Sequence, residues 1–554
     1  MSFAVLKADF LLVLSAASST SSMADLPSRL DRLRPTIETL MQTGGTPGIA
    51  LAVVSGGESV YKATFGHGDV AAGLSISDET VFPICSLTKA VTAAAVGILV
   101  DEGKLKWETL VKDVLPTFQS RDETLQNFLT ITDLLSHRSG MAWADNLVIG
   151  TENNVLIHGK DGINYINTQQ RLLPFRAQFA YNNLPYDLAG NVIEQISGQS
   201  WFEFLQTRIL DPLGLDRTFL KPPPPGTANV TQCYNALDDL STVPIPCPKT
   251  GSDRFAGPSG GMWSCIRDLQ KLYTVYGKSF KDQFATGKTS TDGSPFKQVA
   301  HLASAKIPMD QPSRNEISYA CGWGRVQLPN RMGQIGLNPG LVPGGMPIVG
   351  KGVPSQLVLF HQGSLPGALS VVMLLPDSDK LIIVLSNSLA LSDVPDWVGQ
   401  LVLEEVLEVP ESERVDVVAP AKAAVTENLK WYPGLVKELE ETQKHGTSPR
   451  NLEEYVGVYW IDPRIFKAVV TLEDGRLFWA LQGLESERYE LKHYEDDTFL
   501  WLLPRNELSR RGRWVGSDQG PAFWKTEFKA SGNTINELYW AHDTDVPPLK
   551  LTKE

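Results

Sequence analysis

A serine and a lysine stand three residues apart near the start of an apolar segment, residues 82–100 (FPICSLTKAVTAAAVGILV). Positions i and i+3 share one face of a helix, so Ser86 and Lys89 would meet there. A serine hydroxyl becomes a strong nucleophile when a neighbouring base takes its proton, and burial lowers the pKa of a lysine toward that role. The first turn of a helix also favours developing negative charge. The spacing therefore predicts a nucleophilic Ser86, with a helix N-cap as the alternative.

Other motifs in the chain are weaker. Ser-x-x-Lys recurs at 294–297 in a polar loop, so the tetrapeptide alone carries little information. GPSGG at 257–261 matches the Gly-x-Ser-x-Gly elbow of α/β-hydrolases but lacks the strand that should precede it. The eight histidines form no cluster with metal-ligand spacing. We therefore predict an enzyme without a metal or cofactor.

The elements around Ser86 indicate a mixed fold. GIALAVVSGGESVYKATFG at 48–66 alternates about a Gly-Gly turn and predicts a β-hairpin. A largely helical stretch follows from Lys89, then a Pro- and Gly-dense region at about 220–355 that we interpret as loop-rich, then three strands before about 390. Strands at both ends with helices between them predict an α+β domain, 26–410, whose antiparallel sheet is closed by its two ends.

The composition changes near residue 410, and 554 residues are enough for two domains. Residues 411–447 are predicted to form a charged connector, and 448–554 a small antiparallel β domain of short aromatic-rich strands. We interpret its aromatic stripe as core rather than as a ligand site: Tyr455, Tyr459, Phe478, Trp479, Phe499 and Trp501.

Charge and hydropathy limit the partners. The net charge of −13 argues against nucleic acid, and no apolar run is long enough for a transmembrane helix. Residues 1–25 are predicted to be a leader or a disordered terminus. Their apolar segment, 10–17, is short and follows Asp9, which favours an intracellular protein over a secreted one.

Four sequence blocks, in this order, resemble the serine β-lactamase and penicillin-binding protein superfamily. They are FPICSLTKAV, LTITDLLSHRSGM, FAYNNLPYDLAGNVIEQISG and GPSGGMWSCIRDLQKL. The branch that they resemble most is the class C-like one, with its esterases, D-aminopeptidases and fungal acyltransferases. The similarity spans roughly residues 30–400, and the β segment after 448 resembles the lipocalin-like domains appended to many members.

The resemblance implies roles for particular residues. Ser86 would be the nucleophile, with Lys89 and Tyr181 as a proton-sharing pair and Asn183 as a binding group. The third motif is assigned to His361-Gln362-Gly363 on a strand, not to the literal Lys-Thr-Gly at 249–251 in a proline-broken loop. In this assignment His361, Gly363 and Ser364 contact the substrate. The backbone N–H groups of Ser86 and Ser364 would form the oxyanion hole.

The resemblance also implies an activity. We predict a serine hydrolase that cleaves an ester or amide through an acyl-enzyme. The alternative is an acyltransferase of secondary metabolism that uses the same site on a small-molecule, or carrier-bound, acyl substrate. A true β-lactamase is less favoured because its third motif is cationic and histidine is mostly neutral at pH 7, and a non-catalytic scaffold is less favoured because the site residues are retained. The oligomeric state stays open.

Overall fold

A computed structural model describes residues 26–310 and 314–554. The leader predicted at 1–25 lies outside the described residues. Within the described ranges, no helix is long and apolar enough to cross a membrane.

The first domain is built on a nine-stranded antiparallel sheet with the order β3-β2-β1-β15-β14-β13-β10-β9-β8. Its first strand pairs with β15, Ile49 opposite Ser386, so the sheet joins the two ends of the domain as predicted. The strands outside the second domain are β1 (Gly48–Ser55), β2 (Glu58–Asp69), β3 (Leu74–Ser75), β4 (Phe82–Pro83), β5 (Cys233–Ala236), β6 (Thr242–Ile245), β7 (Trp263–Ser264), β8 (Ile307–Pro308), β9 (Ile317–Tyr319), β10 (Gly324–Gln327), β11 (Asn330–Arg331), β12 (Ile348–Val349), β13 (Leu357–Leu365), β14 (Ala368–Leu375), β15 (Lys380–Ser386) and β16 (Ser388–Leu389).

Helices cover both faces of this sheet. The helices of the chain are α1 (Leu26–Asp31), α2 (Arg34–Gly44), α3 (Thr88–Asp101), α4 (Val111–Val114), α5 (Glu123–Phe128), α6 (Ile131–Leu135), α7 (Asp145–Val148), α8 (Gly162–Asn167), α9 (Leu184–Ser197), α10 (Trp201–Leu205), α11 (Asp211–Leu213), α12 (Gly257–Gly260), α13 (Ile266–Thr286), α14 (Val299–Ala303), α15 (Val394–Val406), α16 (Val418–Thr442) and α17 (Arg505–Arg510). Helix α3 is buried along its first twelve residues. It is therefore the central helix of the layer on one face, while α15 packs on the other.

The interpretation of 220–355 as loop-rich is wrong for α13, a helix of 21 residues. Its buried positions include Leu269, Leu272, Tyr273 and Tyr276, which recur at the spacing of one helix face. The family resemblance of GPSGGMWSCIRDLQKL implies a helix here, whereas the proline and glycine content of the whole region does not. The helix packs against the sheet beside β15 and β1.

The second domain is a closed eight-stranded barrel. Its strands are β17 (Gly457–Trp460), β18 (Lys467–Glu473), β19 (Arg476–Leu481), β20 (Arg488–Glu495), β21 (Thr498–Leu500), β22 (Lys525–Ser531), β23 (Thr534–Trp540) and β24 (Leu549–Lys553). Five of the six predicted aromatic core residues are fully buried. The exception is Phe478, which is half-buried and stacks against Arg488, because alternation along β19 turns it away from Trp479. The predicted α+β fold with an appended antiparallel barrel is confirmed.

Candidate active site

Ser86 lies in a short 3-10 turn, Cys85–Leu87, that leads directly into α3. Cys85 has φ 51°, the left-handed region that few residues other than glycine adopt. The Cys85 carbonyl oxygen accepts a hydrogen bond from Thr88 Oγ1 at 2.6 Å, which fixes this conformation. The Cys85 thiol is fully buried beside Leu365 and Ala368, and burial raises its pKa well above the usual range. The thiol is therefore a packing group.

Lys89 is fully buried and makes three hydrogen bonds through Nζ. The acceptors are Ser86 Oγ at 3.0 Å, Asn183 Oδ1 at 2.7 Å and the backbone oxygen of Ser259 at 2.7 Å. Burial lowers the pKa of Lys89 to about 7, although the carboxyl groups of Asp145 and Asp187 oppose the shift. The lysine is thus poised to exchange a proton near neutral pH.

Tyr181 lies beside this pair. Lys89 Nζ is 4.9 Å from the centroid of the Tyr181 ring, and the tyrosine hydroxyl is buried without a well-aligned hydrogen bond among the described residues. Burial raises the pKa of Tyr181 well above its usual range, and the adjacent Ser86 hydroxyl offsets this only in part. The phenol is therefore neutral, and it does not share a hydrogen bond with Lys89 as the predicted proton-sharing pair would.

A neutral histidine supports the Tyr181 ring. The His137 ring centroid is 4.2 Å away, and His137 Nδ1 accepts the backbone N–H of Asn182 at 3.1 Å. Burial and the nearby Lys89 charge hold the pKa of His137 well below its usual value. His137 belongs to the LLSHRSG segment of the sequence resemblance, but that pattern did not indicate this supporting contact.

Asn183 links the lysine to a carboxylate. Its Oδ1 accepts from Lys89, and its Nδ2 donates to Asp145 Oδ1 at 2.9 Å. Burial, followed by the charge of Asp543, raises the pKa of Asp145 to about 6. The sequence analysis missed Asp145, since a lone aspartate about 60 residues beyond the nucleophile gives no local signal.

Strand β13 runs close beside the turn that carries Ser86. A Cβ on Gly363 would lie 2.7 Å from the Ile84 carbonyl oxygen and 2.9 Å from Cys85 Cβ, so glycine is required for this approach. Ser364 follows on the same strand and lines the cavity in front of Ser86. Both residues lie at the site, and their contacts with a substrate stay predictions.

His361 is placed differently from the substrate-facing position that we expected. Its Nε2 is 2.9 Å from the Tyr319 hydroxyl, and its Nδ1 is 2.6 Å from the Gln362 carbonyl oxygen. The side chain is fully buried, and burial lowers its pKa to about 3. The ring lies behind Tyr181, at 6.2 Å between centroids, while the neighbouring Gln362 lines the cavity. The neutral His361 ring thus lies behind the rings of Tyr181 and Tyr319 and outside the wall of the cavity.

The two competing motifs fall elsewhere. Lys249 Nζ donates to Asn154 Oδ1 at 2.6 Å in a loop, with no strand to present the literal Lys-Thr-Gly. Ser259 Oγ donates to the Ala256 carbonyl oxygen at 3.1 Å in the short helix α12. No nucleophile elbow forms there, and what this segment gives the site is the carbonyl that Lys89 contacts.

A cavity of about 200 Å³ opens in front of Ser86. Its walls come from both domains: Ser86, Asp145, Asn146, Ile149, Tyr181, Asn183, Ile335, Leu337, Gln362, Ser364, Leu365, Pro366, Trp514 and Asp518. Trp514 and Asp518 belong to the segment between α17 and β22 of the barrel domain. Sequence reasoning missed both, because only the packing of the two domains brings them to the nucleophile.

Hydrogen bonds fix this packing. Gln519 Nε2 donates to Asn146 Oδ1 at 2.7 Å, and Asn146 Nδ2 donates to Asp543 Oδ1 at 3.2 Å. Further along, Thr151 Oγ1 donates to Glu487 Oε2 at 3.0 Å. The barrel is therefore anchored on α7, which begins at Asp145, and on the residues that follow it.

Comparison with known proteins agrees with this geometry. Residues 33–402 match the family described as β-lactamase. The chain belongs to the β-lactamase family. Residues 441–553 match a second family, described as a domain of unknown function (DUF3471). The resemblance read from the sequence is thereby confirmed.

Several relatives of this β-lactamase-family protein are similar over long stretches. Penicillin-binding protein 4 of Amycolatopsis lactamdurans is 31% identical over 231 residues, which cover 42% of this chain and 59% of that protein. An unguisins hydrolase of Aspergillus campestris is 25% identical over 433 residues, 75% of this chain and 72% of that one. The octameric penicillin-binding protein homologue from Pyrococcus abyssi superimposes with a TM-score of 0.56 at 20% identity, covering 95% of this chain and 100% of that chain. At that identity the likeness shows a shared fold.

Proposed function

We propose that this protein is a serine hydrolase that cleaves an ester or amide bond through an acyl-enzyme on Ser86. The observation that carries the proposal is the 3.0 Å contact between Ser86 Oγ and the buried Nζ of Lys89. Membership in the β-lactamase family supports it. So does the cavity of about 200 Å³ in front of the serine.

The partners of Lys89 determine which way the proton moves. Two of its three acceptors are carbonyl oxygens, on Asn183 and Ser259, which cannot donate a proton. A neutral Lys89 therefore keeps its two N–H bonds to those oxygens and turns its lone pair to the Ser86 hydroxyl. In this state Lys89 accepts the serine proton directly, as a general base must.

The proposed reaction has two stages, acylation of Ser86 and hydrolysis of the acyl-enzyme. Ser86 Oγ bonds to the substrate carbonyl carbon while its proton passes to Lys89 Nζ. The tetrahedral intermediate collapses, the bond to the leaving alkoxide or amine breaks, and the leaving group takes a proton. Water adds to the acyl-enzyme and gives a proton to neutral Lys89; the bond between Ser86 Oγ and the acyl carbon then breaks, the acid leaves, and Ser86 Oγ takes that proton from Lys89.

Two other groups stabilise charge in this scheme. The neutral phenol of Tyr181, whose hydroxyl has no competing partner of good geometry, gives its proton to the leaving group and is reprotonated by Lys89, which becomes neutral again. The backbone N–H groups of Ser86 and Ser364 receive the developing oxyanion. Loss of one such donor typically lowers the rate by about 10²- to 10³-fold.

Ester or amide substrates fit this site better than β-lactams. A β-lactam carries a carboxylate, whereas no lysine, arginine or histidine is among the described residues that line the cavity, since His361 lies behind Tyr181. Relatives named as hydrolases favour water as the acyl acceptor over a second substrate, as in the acyltransferase alternative.

Covalent labelling tests the proposal. A fluorophosphonate probe should modify Ser86 in the full-length protein, and Ser86→Ala should lose both labelling and hydrolysis of aryl esters. Ser252→Ala, in the exposed Lys-Thr-Gly loop, is the matched control and should keep both. Hydrolysis that survives in Ser86→Ala, or a label on another serine, would overturn the assignment. Added alcohols or amines that divert the acyl group faster than water would favour acyl transfer.

A further inference from the structure

Two thiols of the hairpin formed by β5 and β6 lie side by side. Cys233 begins β5 opposite Ile245, the last residue of β6, and Cys247 follows two residues later. Side chains alternate between the two faces of a strand, so Cys247 returns to the face that carries Cys233. Both side chains pack in one small cluster, and Cys247 Sγ is 3.8 Å from the backbone oxygen of Thr231, on the segment that leads into β5. The Cys247 side chain thus reaches across to the strand of Cys233.

The two thiols differ in exposure and in acidity. Of the five cysteines, all of which lie in the described part of the chain, Cys247 alone is partly exposed. A hydrogen bond from the Cys233 thiol lowers the pKa of Cys247, whereas burial raises the pKa of Cys233. The thiolate is the form of cysteine that reacts with oxidants. Cys247 is therefore the thiol that an oxidant meets first, and Cys233 is the thiol held beside it.

We propose that Cys233 and Cys247 form an oxidation site at which a hydroperoxide closes a disulfide across the hairpin. Cys247 loses its proton and its sulfur attacks the hydroperoxide; the O–O bond breaks, and the departing alkoxide, or hydroxide from hydrogen peroxide, takes that proton. The Cys233 sulfur then loses its proton and attacks the sulfenic acid on Cys247. The S–S bond forms, the S–O bond breaks, and hydroxide leaves with the proton as water. The two sulfurs together lose two electrons, which the hydroperoxide gains.

Cys233 lies directly behind the wall of the cavity in front of Ser86. A Cβ on Gly367, in the turn between β13 and β14, would lie 2.5 Å from Cys233 Cβ. The neighbouring residues Leu365 and Pro366 line the cavity. Cys233 and this turn are thus packed without room for a further side chain, so a shift of Cys233 moves the turn.

Asn153 connects the other cysteine to the same wall. Its Nδ2 donates to the backbone oxygen of Pro246, which precedes Cys247, at 2.8 Å, and to that of Pro366 at 3.0 Å. The disulfide draws Cys247 toward β5, and the Asn153 amide passes the displacement of Pro246 to Pro366. Oxidation of the hairpin therefore changes the shape of the cavity.

Peptide mass spectrometry tests the disulfide in the full-length protein. The reduced protein is treated with hydrogen peroxide, its free thiols are blocked with N-ethylmaleimide, and the protein is digested. We expect a linked peptide pair that contains Cys233 and Cys247, and dithiothreitol should separate it. Cys247→Ser should lose the link, and in Cys233→Ser the Cys247 thiol should stop at the sulfenic acid, which dimedone traps.

A third thiol of the same cluster supplies the matched control. Cys265→Ala should keep the link between Cys233 and Cys247. Both thiols still free after oxidation, or a link from either of them to Cys265 or to another molecule, would overturn the proposal.

Labelling of Ser86 tests the coupling to the cavity, and this arm rests on the proposed function. Fluorophosphonate labelling should slow by about 3- to 10-fold in the oxidised protein, less than the roughly 10²-fold that a 1 Å displacement of reacting groups can cost. Dithiothreitol should restore the rate, and peroxide should leave the labelling of Cys247→Ser unchanged. An equal loss in that variant, or a linked protein that labels at the full rate, would overturn the coupling and leave the oxidation site in place. Absence of labelling in the reduced protein would overturn the proposed function instead.

Discussion

Lys89 Nζ donates a hydrogen bond to the backbone oxygen of Ser259 at 2.7 Å. The two residues are 170 positions apart, so the contact depends on the packing of α12 against α3. This hydrogen bond holds Lys89 through a main-chain oxygen. A side-chain substitution at Ser259 therefore does not remove it directly. The Gly-Pro-Ser-Gly segment thus orients the lysine that we propose as the base.

The rate of ester hydrolysis should rise with pH along a limb centred near 7. Lys89 must lose its proton to act as the base, and burial lowers its pKa to about 7. Asp145→Asn should move the limb to lower pH, since it removes a carboxylate that raises the pKa of Lys89, whereas Asp545→Asn should not. His361 does not account for this limb, because its pKa is about 3. The measurement is kcat/KM for an uncharged aryl ester against pH, and a limb that rises toward acid would contradict this assignment.

Tyr181→Phe should lower the activity of the protein without lowering its stability. We expect kcat to fall by about 10²- to 10⁴-fold, the usual effect of a general acid or base. The melting temperature should be unchanged or slightly higher, because the hydroxyl is buried without a well-aligned partner. Tyr273→Phe, a buried tyrosine outside the cavity whose hydroxyl also lacks a partner, is the control and should keep full activity. Equal loss in both variants would point to a packing effect.

Gly363→Ala should displace β13 from the nucleophile turn. The new methyl group would lie 2.5 Å from Ser370 Oγ as well as against the Ile84 carbonyl oxygen, and overpacking of this kind costs about 1–3 kcal/mol. Fluorophosphonate labelling of Ser86 should slow markedly and the melting temperature should fall. Gly434→Ala, in α16 with open space around the new Cβ, should lower neither. Normal labelling of Gly363→Ala would show that the strand can move freely.

Replacement of Glu487 should lower the free energy of unfolding of the barrel domain. This buried carboxylate accepts from Thr151 and lies 3.5 Å from the guanidinium of Arg513, which is itself 1% exposed. Glu487→Ala leaves a buried charge unpaired, and we expect a loss of about 3–5 kcal/mol in urea unfolding. The double variant Glu487→Ala, Arg513→Met should recover part of it. A double variant as unstable as the single one would show that pairing is not the cause.

The sequence predicted those site residues that are close together in the chain or that belong to a family motif. The Ser86–Lys89 spacing predicted their contact because three residues make about one turn, and the strands around Gly363 followed from their short apolar runs. The position of His361 did not follow, because a three-residue motif does not show which neighbours will enclose each side chain. Asp145, Trp514 and Asp518 reach the site through the packing of separate units, which local patterns do not encode.

Two domains share the wall of the cavity, since the turn at Ser86 lies in one and Trp514 and Asp518 lie in the other. Substitutions in the segment between α17 and β22 can reshape the wall without disturbing the buried turn at Ser86. Duplicated copies of this chain can therefore diverge in substrate choice through the barrel segment alone. The reaction itself would be inherited unchanged.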